Sequence, residues 1–205
     1  MGQFEAAERD LEEAMTIFEQ KLGRTHPRVA SVLHTRGVIA VRRGSTERAA
    51  TLLRESIRVC EAALPPDHPD LARVIHDLGE VFLVADDHAS ALPQFVRAAK
   101  LRRTRLGKAH ASIANSLTGA GRSLAGLGRP DEAAVVLEEA LGMHQALGNQ
   151  GQWLAETEAA LSKVLVSTDP GRARKLALSA RATFSAMGKP DEARALDDLV
   201  DPVAP

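Results

Sequence analysis

Phe4, Ala7, Leu11, Ala14, Met15 and Phe18 recur at steps of three and four residues, the spacing that lines one face of an α-helix. The pattern predicts a helix over residues 3 to 22. Leu22-Gly23 supplies its stop, because glycine suits the position just past a helix C-terminus. Thr25-His26-Pro27 opens a second helix, with proline in the first turn where its missing N–H costs nothing. That helix runs to about Arg43 and stops at Gly44. Ser45 then stands where a hydroxyl can cap a helix over 46 to 63. The cycle continues with helices at about 69–85, 88–106, 110–127 and 130–147. Pro65-Pro66-Asp67, Asp86-Asp87, Gly107 and Gly128-Arg129-Pro130-Asp131 punctuate them. Past Gly148 the apolar positions go on through Ala155, Leu161 and Leu165, and Asp169-Pro170 starts a helix to about Met187. A short last helix opens after Gly188-Lys189-Pro190-Asp191 and ends near Val200, leaving Asp201 to Pro205 as a frayed tail. Small, helix-favouring residues and the lack of alternating β-branched runs leave no place for a strand.

These elements recur with one period. His26-Pro27 and His68-Pro69 lie 42 residues apart, and His110 follows after another 42. Ala30, Ala72 and Ala114 keep this step, as do Gly37, Gly79 and Gly121, and Ala7, Ala49, Ala91 and Ala133. Beyond Gly148 the register slips by one: Ala155, Leu161 and Leu165 follow Ala114, Ala120 and Leu124 by 41. A fixed period of this size means stacked units, each unable to bury its apolar face alone. The 205 residues therefore read as a single array. It comprises a half-repeat at 3–22, repeats at about 26–64, 68–106, 110–147 and 150–187, and a capping helix at about 189–200.

Composition narrows the chemistry. Aromatic residues are 3% of the chain, with no tyrosine, so the core is built of Leu, Ala, Val and Ile. A net charge of -1 lacks the basic footprint of a nucleic-acid binder. The cluster Lys100 to Arg105 reads as a solvated helix face near a C-terminus, where cations are favoured. Cys60 is the only cysteine, which excludes an intrachain disulfide and fits a reducing, cytoplasmic setting. No apolar run reaches the roughly 18 residues of a membrane span, and the N-terminus carries no secretory pattern. No phosphate loop or kinase signature occurs. His26, His68 and His110 stand at helix starts, where capping and turn packing account for them. His34 and His76 sit on neighbouring repeats whose helices stack roughly 10 Å apart, too far to share a zinc ion with ligands near 2 Å. No acid–base–nucleophile set converges, so the chain is expected to be neither an enzyme nor a holder of a cofactor or metal.

Ile75, Leu78-Gly79, Phe82, Ala91 and Phe95 resemble the tetratricopeptide repeat (TPR) pattern of Leu-Gly, an aromatic, then Ala and Phe. Leu33, Gly37, Ala40, Ala49, Leu53 and Leu117, Gly121, Leu124, Ala133, Leu137 are further copies. The long period and the Leu-Gly-x-x-His-Pro-x-x-Ala run from Leu22 to Ala30 are similar to the kinesin-light-chain subtype. The paired asparagines usual in that subtype are replaced by His34-Thr35, His76-Asp77, Thr118-Gly119 and Ala159-Ala160, so its cargo set does not transfer. Leu154 through Arg181 also resembles the ends of TPR regions in bacterial signalling proteins such as Ser/Thr kinases. The resemblance implies an all-α, right-handed superhelical TPR solenoid of antiparallel helix pairs. Each pair has a helix A, bearing the Leu-Gly, and a helix B, bearing the Ala-x-x-x-Phe. The first helix matches helix B, so the chain is expected to be a fragment of a longer protein.

The resemblance implies a scaffold that binds a protein or peptide partner in its concave groove. A regulatory or sensory segment of a larger bacterial kinase or NTPase is the alternative. At about 100° per residue, Ile75, Leu78, Gly79 and Phe82 form the packing stripe of one helix A. Arg73, His76 and Glu80 form a flank, which the family places in the groove. The expected partner-binding residues are His34, Val38, Arg73, His76, Glu80, Asn115, Thr118, Arg122 and Lys163, with Arg54 and Arg97 marking the opposite, helix-B side.

Overall fold

The computed structural model describes residues 2–200, with side chains from Phe4 onward; the expected frayed tail, 201–205, lies outside the described residues. Eleven helices are described: α1 (Gly2–Leu22), α2 (Pro27–Arg42), α3 (Thr46–Ala63), α4 (Pro69–Val84), α5 (His88–Leu106), α6 (Ala111–Gly126), α7 (Pro130–Ala146), α8 (Gln152–Leu165), α9 (Pro170–Ala186), α10 (Pro190–Arg194) and α11 (Asp197–Val200). No strand occurs among the described residues. Two compact units divide the chain, one reaching Arg105 and the other beginning at Leu106.

Helix starts follow from three histidines. His26, His68 and His110 are N-caps with extended backbone, and the side chain of each accepts a hydrogen bond from the backbone N–H two residues on. The acceptor is Nδ1, at 3.2, 3.2 and 3.1 Å from Arg28, Asp70 and Ser112. This occupies one of the donors that every helix start leaves open. Asp169 does the same for α9, accepting from Arg172 N–H at 3.0 Å. Ser45 departs from expectation. It is the N-cap of α3, yet its hydroxyl makes no capping bond.

Gly44, Gly128, Gly148 and Gly188 all turn the chain at positive φ. Asp86 occupies the corresponding place between α4 and α5, with φ of 58°, and is the described non-glycine residue with positive φ. Asp tolerates this left-handed region better than most side chains.

In the first unit α1 lies on the α2/α3 pair, held at its polar edge by Arg36–Glu12 at 3.2 Å and Arg48–Glu8 at 3.1 Å. Ser56 Oγ donates to the carbonyl of Ala30 at 2.8 Å, a buried bond from α3 to α2. Within three of the helix pairs one contact repeats. A Cβ built on Gly37 would lie 2.9 Å from Leu53, and one on Gly79 would lie 2.9 Å from the Phe95 ring. Gly121 faces Leu137 still more tightly. In all three cases the glycine of helix A receives the large side chain of helix B sixteen residues later. The expected packing stripe is therefore where it was placed: Ile75, Leu78, Gly79 and Phe82 are all buried.

In the second unit α6 pairs with α7 and α8 with α9. Ala155, Ala177, Ala180 and Phe184 form a core that Ala193, Leu196 and Val200 of the C-terminal segment complete.

Candidate functional site

The expected flank of helix A is not one open face. In the first unit His34 is drawn into a polar cluster between α2 and α4. Its Nε2 lies 2.6 Å from Asp77 Oδ2, and the Arg73 guanidinium reaches its ring nitrogens at 2.8 and 3.1 Å. Arg73 also donates to Asp70 Oδ1 at 3.2 Å. Asp77 additionally attracts Arg102 of α5. Arg102 corrects the expectation of a solvated cationic face over 100–105. It is half-buried, and this desolvation lowers its pKa against the opposing pull of Asp77, whereas Lys100, Arg103 and Arg105 are exposed.

His76 and Thr118 also depart from the expected surface. His76 is buried and meets the Phe95 ring edge-on, with centroids 5.3 Å apart. Thr118 is buried, and its hydroxyl is shared with the Ala114 carbonyl at 3.0 Å and with Thr157 of α8 at 2.7 Å. Both side chains sit in the seam between helices rather than on a face a partner could reach. Val38, Arg73 and Glu80 in the first unit are partly exposed, as are Asn115 and Arg122 in the second, and Lys163 is exposed. The Asn115 side-chain oxygen is buried and has no hydrogen-bond partner among the described residues. The sequence reading did not find the His34–Arg73–Asp77 cluster. The signal for it was available: Asp77 stands one residue past His76, the counterpart of His34 one repeat on.

Among the described residues of the second unit, two titratable groups are buried. Glu158 of α8 has its pKa raised by burial, partly offset by a hydrogen bond with Ser179. His144 of α7 is fully buried; Asn149 lies 3.0 Å from its Nδ1, and its Nε2 has no hydrogen-bond partner among the described residues. Burial lowers the His144 pKa below the ordinary 6.5. The unfolded chain therefore takes up this proton near pH 6.5, while the folded chain resists until a lower pH. Stability should fall on acidification below about pH 6.5, with a slope from this group of at most about 1.4 kcal/mol per pH unit. Phe184 occupies the equivalent place in α9, so His144→Phe should flatten that part of the profile. Urea midpoints at a series of pH values would check this; parallel profiles for the two proteins would count against it.

Among the described residues, no group of three His, Cys, Asp or Glu side chains could hold a metal ion. No described helix is long and apolar enough to cross a membrane.

The geometry defines a repeat protein of paired helices, closed by a glycine on one helix and a large apolar side chain on the other. The tetratricopeptide repeat family matches residues 1–62 and 70–146, and the chain belongs to it. Solved structures share the fold. Kinesin-light-chain nearly identical TPR-like repeats of Podosopora anserina superpose with a TM-score of 0.73 at 18% identity, covering 92% of this chain and 90% of that one. BtubC (BKLC) from P. vanneervenii gives 0.69 at 18% identity, covering 99% and 92%. These likenesses are of fold, and the fold is the kinesin-light-chain-like form of the TPR array. The Rap conjugation gene regulator of plasmid pLS20, solved in complex with the Phr peptide, gives 0.65 at 13% identity, covering 85% of this chain and 53% of that one. No curated protein matches.

Proposed function

We propose that the chain is a protein-interaction scaffold that holds a peptide or helix of a partner protein by equilibrium binding. The observation that carries this reading is the run of TPR helix pairs α2/α3, α4/α5, α6/α7 and α8/α9. The Rap regulator, a neighbour in fold, was solved with a peptide bound, which supports the same use of these pairs here. The contact residues assigned are the accessible part of the helix-A flank: Val38, Arg73 and Glu80 in the first unit, Asn115, Arg122 and Lys163 in the second. His34, His76 and Thr118 serve as the layer beneath, fixing the helices that carry them.

Arg122 and Lys163 put two cations on one flank of the second unit, so an acidic stretch of the partner is drawn there, more strongly at low salt. Affinity capture from the source lysate, followed by synthesis of the bound segment, supplies the ligand. Arg122→Glu with Lys163→Glu should then weaken its binding by about tenfold or more. Lys163 is exposed, and Lys163→Glu alone should shift stability by no more than about 0.5 kcal/mol. Undiminished binding by a folded double variant would overturn the assignment of the flank.

A further inference from the structure

A second surface lies on the helix-B side of the first unit. Between α3 and α5 runs a groove of about 700 Å³. Leu78 and Phe82 of α4 form its floor together with Ile57. Arg54, Arg58 and Arg97 stand around it, and no carboxylate lines it among the described residues. Arg97 is already paired with Glu61 at one end. The guanidinium of Arg54 lies over the Phe82 ring, 5.3 Å from its centroid. This cation–π contact holds the charge above the apolar floor instead of letting it swing into solvent. Arg58 is exposed. Asp87 feels Arg54 only as the smallest of the influences on it, and its carboxylate is committed to Ser90, accepting from the Ser90 N–H at 3.0 Å.

The second unit shows what this place looks like when the protein completes it internally. Arg54 follows Leu53 in α3 as Glu138 follows Leu137 in α7, and Ser90 precedes Ala91 in α5 as Arg172 precedes Ala173 in α9. Glu138 and Arg172 meet in a two-pronged ion pair, at 2.5 and 2.7 Å. At the matching positions of the first unit a cation, Arg54, stands in the place of the anion Glu138, and the place of the cation Arg172 holds Ser90, which is engaged with Asp87.

We propose that the groove between α3 and α5 docks an acidic segment of a partner protein. One apolar side chain of that segment rests on Phe82, Leu78 and Ile57, and its flanking carboxylates meet Arg54 and Arg58. The apolar floor selects against a purely polar anion. Arginine's planar fork matches carboxylates in two-pronged geometry, which gives the segment a defined seat. This surface uses other helices and other side chains than the helix-A flank, so either assignment can fail while the other stands.

The test titrates the full chain with three short synthetic peptides and follows Arg54, Arg58 and Phe82 resonances by NMR. One peptide is Glu-Asp-Leu-Asp-Glu, the second has Gly in place of Leu, and the third is Lys-Arg-Leu-Arg-Lys. The leucine-containing acidic peptide should give saturable shifts at those three residues, and the other two should bind at least about tenfold more weakly. Arg54→Glu with Arg58→Glu, both at exposed positions, should abolish the acidic peptide's shifts and admit the basic peptide instead. Arg122→Glu with Lys163→Glu should leave them unchanged. Absence of localised shifts, equal binding of the glycine peptide, or equal competition by a single-stranded oligonucleotide would each overturn the proposal. The first would show that the groove is not a seat, the second that its floor is unused, and the third that it reads charge alone.

Discussion

Phe95→Ala should lower the stability of the chain by about 3–5 kcal/mol, the range for emptying a buried aromatic site. Phe95 is fully buried and is the largest side chain so enclosed. Its ring lies against Gly79 on one side and takes the edge of His76 on another. The cavity left by alanine could not be refilled from Gly79, which has no side chain to offer. His76 would lose its aromatic contact, worth about 0.5–1.5 kcal/mol beyond area alone. Urea unfolding followed by circular dichroism measures the loss. A change below about 1 kcal/mol would mean that Phe95 does not hold α4 and α5 together.

Gly79→Leu is the complementary experiment and should cost about 3 kcal/mol. A Cβ at this position already falls 2.9 to 3.0 Å from three atoms of the Phe95 ring, closer than carbon atoms tolerate. A rigid ring cannot yield as an aliphatic chain end does, and the remaining leucine atoms have nowhere to go except between the helices. The double variant Gly79→Leu with Phe95→Ala exchanges the volume across the contact. Its loss should be smaller than the sum of the single losses by about 1 kcal/mol or more. The chain itself contains such an exchange: in α8 and α9 the register positions of Gly121 and Leu137 carry Ser162 and Ala177, both buried. Strict additivity of the two changes would show that Gly79 and Phe95 do not share one contact.

The candidate binding residues divide according to what covers them. His34, His76 and Thr118 recur at one register position and look equivalent along the chain. In the structure His34 is tied to Arg73 and Asp77, His76 is enclosed against Phe95, and Thr118 bonds to Thr157. The buried Thr118 hydroxyl is satisfied by the Ala114 carbonyl and by Thr157, as low-dielectric surroundings favour. The accessible remainder, Arg73, Glu80, Arg122 and Lys163, lies nearer the edge of each helix. That accessible edge is what the proposed scaffold would offer a partner.

Helix positions and the repeat were legible in the chain because both follow from local chemistry. Glycine and proline punctuate the helices, histidine ahead of proline caps them, and apolar residues at steps of three and four mark the buried stripe. The glycine beneath Leu53, Phe95 and Leu137 could likewise be read from its fixed recurrence, since a large side chain pressed against the facing helix leaves no room for a Cβ there. An angular plot of a single helix says which side chains share a face. It does not say how far the next helix covers that face, because coverage depends on how consecutive helices stack. Tertiary structure alone therefore decided that His76 and Thr118 are buried, and that His34 meets Arg73 across 39 residues of chain. It also decided that Arg54 overlooks an apolar groove with no carboxylate of its own, whereas Glu138 in the matching place has found Arg172.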